Sequence, residues 1–354
     1  MGHLIDILDI DTAQIEELIL TAEKIRLAPE DYSEKCRHKT LATLFYEPST
    51  RTRLSFEAAM YLLGGNVIGF SDSSVSSASK GESVWDTARI VSGYADIIAM
   101  RHPLEGAPFA AGLISFVPVI NAGDGGHFHP TQTLTDLYTI KKETGRLTDL
   151  TVGICGDLKY GRTVHSLIAA LSRYEGNNFI LISPEELRIP AYVIDDYMKQ
   201  GSYIETSQLT ENIPKMDILY MTRIQRERFS DSLQYERLKD SYILTPEKLR
   251  EAKEELRIMH PLPRVNEIDV SVDDDRRAVY FEQTLNGKYI RAALLYKLLC
   301  EGGFGKAPAD GNEMTSIRCD NMKCITFAEK SLKPLSRKNA RGIKVCAYCG
   351  GELK

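Results

Sequence analysis

Residues 45–53 read Phe45-Tyr46-Glu47-Pro48-Ser49-Thr50-Arg51-Thr52-Arg53, and they follow the apolar run Leu41 to Phe45. An apolar run that stops at a proline and resumes as hydroxyl and guanidinium groups reads as a strand, a turn and a helix start. Pro48 disfavours helix at Glu47, and Ser49-Thr50 is suited to capping a helix that continues through Leu54, Phe56, Ala58 and Ala59. The first turn of a helix presents unpaired N–H groups and the positive end of the dipole, so an oxyanion can sit there while Arg51 adds two-pronged hydrogen bonds. Residues 49–53 are therefore expected to form a phosphate cradle.

Outward from this stretch, strand-like and helical patterns alternate. Strands are expected near Thr40–Phe45, Asn66–Phe70, Asp96–Met100 and Val117–Asn121, and helices near Arg51–Leu63, Ser83–Tyr94 and Gln132–Lys142. Before them, Ile15, Leu18, Ile19, Ala22 and Ile25 follow helical spacing behind an Asp11-Thr12 cap. After a polar break at Lys142 to Arg146, a second series offers strands near Leu150–Ile154, Asn178–Ile182, Asp217–Met221 and Leu256–Met259, and a last helix from about Tyr289 to Cys300. The pattern predicts an α/β protein of two doubly wound parallel-sheet domains, residues 1–132 and 133–288, with the helix region 289–306 rejoining the first. Residues 307–313 read as a linker to a small C-terminal four-cysteine domain, 314–354.

Composition narrows the partners. With 43% hydrophobic and 26% charged residues, the 354-residue chain can bury more than one core, and a net charge of −5 argues against general nucleic-acid affinity. No apolar run approaches membrane-spanning length, and no N-terminal segment has signal-peptide or myristoylation character. A cytoplasmic location and small anionic ligands are expected.

In parallel α/β sheets, ligands bind beyond the carboxyl ends of strands. Polar clusters follow five predicted strands here: Ser49–Arg53, Arg101-His102-Pro103, Asn121–Gln132, Gly156–Thr163 and Thr222–Gln225. They supply Arg51, Arg53, Arg101 and His129 in the first half and Arg162 and Arg223 in the second, a set suited to one phosphate-bearing and one carboxylate-bearing substrate. A single arginine after a strand is more often a surface ion-pair partner, His129 before Pro130 could be a turn residue, and Asp157 could simply pair with Lys159. Joint occurrence in the expected places favours function. No serine–histidine–acid or paired-carboxylate arrangement supports covalent or glycosidase chemistry.

Ser49-Thr50-Arg51-Thr52-Arg53, Arg101-His102-Pro103, His129-Pro130-Thr131-Gln132, Gly156 to Ser166, Met221 to Gln225 and His260-Pro261-Leu262-Pro263-Arg264 occur in the order seen in the aspartate carbamoyltransferase family, which the chain resembles over nearly its whole body. Glu47-Pro48 and Pro261 favour the aspartate over the ornithine branch, where a cysteine would be expected in the latter string. The resemblance implies transfer of the carbamoyl group of carbamoyl phosphate to the α-amine of L-aspartate, a step of pyrimidine biosynthesis that uses no cofactor for its chemistry. It assigns Ser49, Thr50, Arg51 and Thr52 to the phosphate, Thr52, Arg101 and His129 to the carbamoyl oxygen, and Gln132 to the carbamoyl amine. Arg162, Arg223 and Gln225 would hold the aspartate carboxylates, next to Pro261 and the Leu262 carbonyl. By composition, residues 71–83 read as a solvated loop. In the family such a loop reaches the neighbouring subunit, so Ser76 and Lys80 would complete that subunit's site in a homotrimer or a multiple of one.

Cys319-x4-Cys324 and Cys346-x2-Cys349 form two knuckles, a strong signal for tetrahedral four-thiolate zinc in a reducing compartment. From Ala307 onward nine Lys/Arg face five Asp/Glu, and four thiolates around Zn²⁺ subtract two further charges, so a nucleic-acid ribbon is the weaker reading. The strings Arg318 to Thr326 and Val345 to Cys349 resemble the zinc domain of the aspartate carbamoyltransferase regulatory chain. That chain carries a nucleotide-binding domain ahead of the zinc module, for which the linker here has no room. The tail is expected to be structural, packing on a catalytic body, its own or a neighbour's.

Overall fold

The computed structural model describes residues 2–72, 77–224, 242–304, 311–339 and 341–353. The chain divides into two compact units, Met1–Leu134 with Gly287–Lys354, and Thr135–Asn286.

In the first unit, β1 (Thr40–Phe45), β2 (Asn66–Phe70), β3 (Ile97–His102) and β4 (Val119–Asp124) form a parallel sheet in the order β2-β1-β3-β4. Leu41, Ala42, Leu44 and Phe45 on β1 and Ile97 to Met100 on β3 are buried, as continuous apolar runs should be when helices cover both faces. Around the sheet lie α1 (Thr12–Leu27), α2 (Thr50–Leu62), α3 (Val84–Val91) and α4 (Ala107–Gly112). A reciprocal capping box starts α1, with the Asp11 side chain accepting from Gln14 N–H while Gln14 accepts from Asp11 N–H. Thr50 opens α2 as expected, but Ser49 at the N-cap makes no side-chain capping bond, its backbone lying at φ −155°, ψ 77°. The expected Ser49 cap is thus corrected: backbone geometry withholds the hydroxyl.

The second unit contains β5 (Thr151–Cys155), β6 (Asn178–Ile182), β7 (Tyr203–Thr206), β8 (Ile218–Met221) and β9 (Arg257–Met259), all parallel, in the order β7-β6-β5-β8-β9. The chain passes between units within α5 (Pro130–Thr144) and again within the last body helix, which follows α6 (Arg162–Leu171) and α7 (Ala191–Tyr197). That helix, α8, spans Tyr280–Cys300 and so starts nine residues before the predicted Tyr289. Asn286-Gly287 looks like a break by propensity. A tertiary bond and a local one override it: Asn286 Nδ2 donates to Thr139 Oγ1 at 3.0 Å, and within the helix Arg291 Nη1 donates to the Gly287 carbonyl at 3.0 Å. Strand β7, with half of its residues exposed, carries too little apolar pattern to be predicted.

The C-terminal residues add a three-stranded antiparallel sheet, β10 (Glu313–Met314), β11 (Leu335–Lys338) and β12 (Lys344–Cys346), with the single-turn helix α9 (Ile325–Ala328). This module packs on the first unit of its own chain. Ile325, Leu332, Ala347 and Tyr348 share one buried cluster with Val84, Ala88, Ala107 and Phe109, and the Tyr348 and Phe109 rings meet edge to face at 5.1 Å. Burying the larger apolar side chains among them, Val84, Phe109, Ile325 and Leu332, contributes about 1.5–3 kcal/mol each.

Candidate active site

Both sheets place their candidate residues at a topological switch point. In the first, β1 leads to β2 on one side, whereas β3 lies on the other, so the loops leaving β1 and β3 diverge beyond their carboxyl ends. Those loops carry residues 46–53 and Arg101. The register pairs Phe45 with Arg101, and Tyr46 N–H donates to the Arg101 carbonyl at 2.9 Å, which fixes the loop of residues 46–49 beside the arginine. Thr50, Arg51 and Thr52 occupy the first turn of α2, with Arg51 exposed and Thr52 buried. Arg53 forms an ion pair with Glu57 at 2.6 Å and is in part a structural residue of α2.

Arg101 is the centre of the first set. Its guanidinium reaches Glu47 at 2.8 Å, the Ala122 carbonyl at 3.4 Å and His129 Nε2 at 3.5 Å. A guanidinium only donates, so Nε2 is the acceptor in this contact, and a neutral ring then carries its proton on Nδ1. Gln132 follows three residues later, half-buried in the first turn of α5.

What places His129 is a residue the sequence reading did not single out. Asp124, at the end of β4 and fully buried, accepts from Gly106 N–H (2.8 Å), Asn121 Nδ2 (3.0 Å) and Phe128 N–H (2.9 Å), and its Oδ2 lies 3.0 Å from His127 Nδ1. Burial alone would raise Asp124 and lower His127. Their ion pair overrides both, holding the carboxyl below and the imidazole above its ordinary range. Only the flanking Gly123 and Gly125 hinted at this role, and a solvated turn would share that signal.

In the second sheet, β6 and β8 flank β5, and the loops after β5 and β8 carry Arg162 and Arg223, both half-buried. Gly156 allows the approach of these loops: at φ +123°, a Cβ there would lie 2.3 Å from the Thr222 carbonyl oxygen. Asp157 N–H donates to Thr222 Oγ1 at 3.1 Å, while its carboxylate caps Tyr160 N–H at 2.9 Å. Lys159, considered as a partner of Asp157, lies over the Tyr160 ring, and no ion pair joins it to Asp157 among the described residues.

After β9, buried His260 accepts from Leu262 N–H at Nδ1 (2.7 Å), so a neutral ring donates through Nε2 to Glu267 (2.7 Å). Leu262 is held at φ +49°, beside half-buried Pro261, a conformation a leucine adopts only when its surroundings impose it. Ser76 and Gln225 lie outside the described residues. Lys80 ends a short 3-10 turn, Ser77–Lys80, and is exposed, with no ion pair to the other candidates among the described residues.

In the tail, the sulfurs of Cys319, Cys324, Cys346 and Cys349 lie within 4.8 Å of one another, and all four residues are buried. The Cys319–Cys349 and Cys324–Cys346 separations are 3.6 and 3.9 Å. A tetrahedron with metal–sulfur bonds of about 2.3 Å has edges of about 3.8 Å, so the donor set can hold a metal ion.

Residues 2–142 match the family model described as aspartate/ornithine carbamoyltransferase, carbamoyl-P binding domain, and residues 148–298 match the Asp/Orn binding domain of the same enzymes. The chain belongs to the aspartate/ornithine carbamoyltransferase family. The aspartate carbamoyltransferase catalytic subunit of Lachnoclostridium phytofermentans is 60% identical over 301 residues, 84% of this chain and 98% of that one. That of Clostridium novyi is 58% identical over 299 residues, 84% and 97% of the two chains. Among solved structures, the catalytic subunit of M. jannaschii aspartate transcarbamoylase superposes with a TM-score of 0.80 at 49% identity, covering 86% of this chain and 100% of its own. The Trypanosoma cruzi aspartate transcarbamoylase bound to N-(phosphonacetyl)-L-aspartic acid gives 0.79 at 36% identity, covering 84% and 96%. Both family models end before the cysteine module. No helix among the described residues is long and apolar enough to cross a membrane.

Proposed function

We propose that the chain is an aspartate carbamoyltransferase, joining carbamoyl phosphate and L-aspartate to give N-carbamoyl-L-aspartate and phosphate. The observation that carries this reading is Arg101 against His129 beside the open first turn of α2, at the switch point of the first sheet.

The phosphate sits on the N–H groups of the α2 first turn with Ser49, Thr50, Arg51 and Thr52 around it. Arg101, His129 and Thr52 face the carbamoyl oxygen, and Gln132 receives the carbamoyl NH₂. Arg162, Arg223 and Gln225 take the aspartate carboxylates, leaving the amine free to react beside Pro261 and the Leu262 carbonyl. The neutral amine attacks the carbamoyl carbon, a C–N bond forms, and negative charge gathers on the oxygen where Arg101 and His129 stabilise it. The carbon–phosphate oxygen bond then breaks, and phosphate leaves with the electron pair and takes up the proton that the nitrogen gives up. Donors already in place are the main source of acceleration, and orientation of the two substrates adds to it.

Lys80 and Ser76 act in the neighbouring subunit's site, which makes a homotrimer, or a multiple of one, the active form. Zn²⁺ fills the four-thiolate site as a structural ion and takes no part in the transfer. The working location is the cytoplasm.

A steady-state assay with carbamoyl phosphate and either aspartate or ornithine tests the assignment. Turnover with aspartate is expected, and turnover confined to ornithine would overturn it. Mixing Arg51→Ala with Lys80→Ala chains tests the sharing of sites: activity should recover on mixing, whereas two inactive parents that stay inactive together would exclude shared sites.

A further inference from the structure

The C-terminal module reaches back to the segment that carries Lys80. From the thiolate donor Cys324 the chain runs straight into α9 and then to Glu329. This turn is locked onto the body: Glu105 N–H donates to the Lys323 carbonyl at 2.8 Å, Ile325 N–H donates to the Glu105 carbonyl at 2.9 Å, and Asn321 Nδ2 donates to the Glu105 carboxylate at 2.8 Å. Glu329 is thereby aimed at α3, where its Oε1 accepts the N–H of Val84 at 2.6 Å across 245 residues of sequence.

Val84 is the first residue of α3, four positions after Lys80. Its N–H is one of the first-turn donors that a helix cannot satisfy internally, and a carboxylate there also meets the positive end of the dipole. The rest of that turn is tied down locally. Ser83 Oγ accepts from Asp86 N–H at 3.0 Å, and Thr87 Oγ1 donates to Glu82 at 3.0 Å. Beneath it, Tyr46, Glu82, His102 and Glu329 line a cavity of about 220 Å³ at the seam between tail and body. The start of α3 is thus tethered from the tail through Glu329.

We propose that Glu329 is a positioning residue for catalysis: by fixing the start of α3 it sets where Lys80 stands, so the cysteine module governs turnover as well as stability. This rests on the reading that Lys80 acts on substrate. Since that lysine serves the adjacent subunit, each tail tunes its neighbour's site.

The test uses full-length Glu329→Ala and Glu329→Gln chains, with zinc content and native mass measured first. Amide hydrogen exchange over residues 77–87 is compared with kcat and KM for carbamoyl phosphate, alone and combined with Lys80→Ala. Glu329→Ala is expected to exchange faster in that peptide and to lose about 10-fold in kcat/KM. Glu329→Gln, which keeps an acceptor for Val84 N–H, should recover most of the loss. In the Lys80→Ala background the Glu329 change should have no further effect. Unchanged exchange, or losses that add independently of Lys80, would overturn the proposal. If Lys80→Ala alone retains full activity, the reading of Lys80 fails instead, and the exchange result still decides whether Glu329 fixes this segment.

Discussion

In the proposed site Arg101 and Asp124 divide the work: Arg101, against His129, is assigned to the carbamoyl oxygen, and Asp124 holds the loop that leads to His129. Arg101→Ala is expected to lower kcat by about 10²–10³-fold, the size of losing one preorganised oxyanion donor, with circular dichroism unchanged. Arg223→Ala should instead raise KM for aspartate and leave KM for carbamoyl phosphate nearly untouched, a split readable in two saturation curves. The Asp124–His127 pair makes a pH prediction. His127 titrates above its ordinary 6.5, so its contribution to stability is complete below that pH and lost as pH rises through the elevated value. Asp124 titrates below 3.8, so its contribution persists above that pH and is lost only as pH falls through the lowered value. The melting-temperature advantage of the native chain over His127→Gln should therefore be full below pH 6.5 and shrink as pH rises above it. An advantage that stays constant over that rise would mean that the ion pair contributes nothing to the fold.

At the scale of elements, each half-site depends on a loop crossing at a strand end. The α2 helix start lies beside β3 because β1 and β3 pair in register at Phe45 and Arg101. In the second sheet, Gly156 lets the β5 loop cross the β8 loop. Gly156→Ala should destabilise the chain by about 2–4 kcal/mol, since the added methyl meets backbone and the φ angle disfavours any L side chain. The same substitution should raise KM for aspartate, because Arg162 opens the helix that this loop leads into. A Gly156→Ala chain that melts like the native one would contradict the close approach seen here. These elements were legible because the buried strands are continuous apolar runs, each ending in a polar cluster. Strand β7 and the first nine residues of α8 were not, since neither has a local pattern that outweighs its weak propensities.

For the whole molecule, the tail is the distinctive part. Its module shares a buried cluster with α3 and α4, so the metal site and the catalytic unit should lose stability together. Removing zinc with a chelator, or substituting Cys346→Ser, is expected to lower the melting temperature by several degrees, read by differential scanning calorimetry alongside metal content. A chain truncated at Gly311 with unchanged stability and unchanged native mass would count against a structural tail. Saturation curves should not move with ATP or CTP, because residues 305–313 leave no room for a nucleotide-binding domain.

The helix start at residues 49–53, the arginines that follow strand ends at 101, 162 and 223, and the cysteine cluster within 319–349 were readable, because each relies on a short run whose pattern is local. The sequence by itself determined that the chain alternates strand and helix, which residue types can meet an oxyanion, and that four cysteines stand at metal-binding spacing. Only the tertiary structure decided that Asp124 anchors the loop before His129, that Ser49 leaves the start of α2 uncapped by its side chain, and that Glu329 meets Val84. Those contacts depend on backbone angles and on segments far apart in the chain, and no local pattern of residues encodes either.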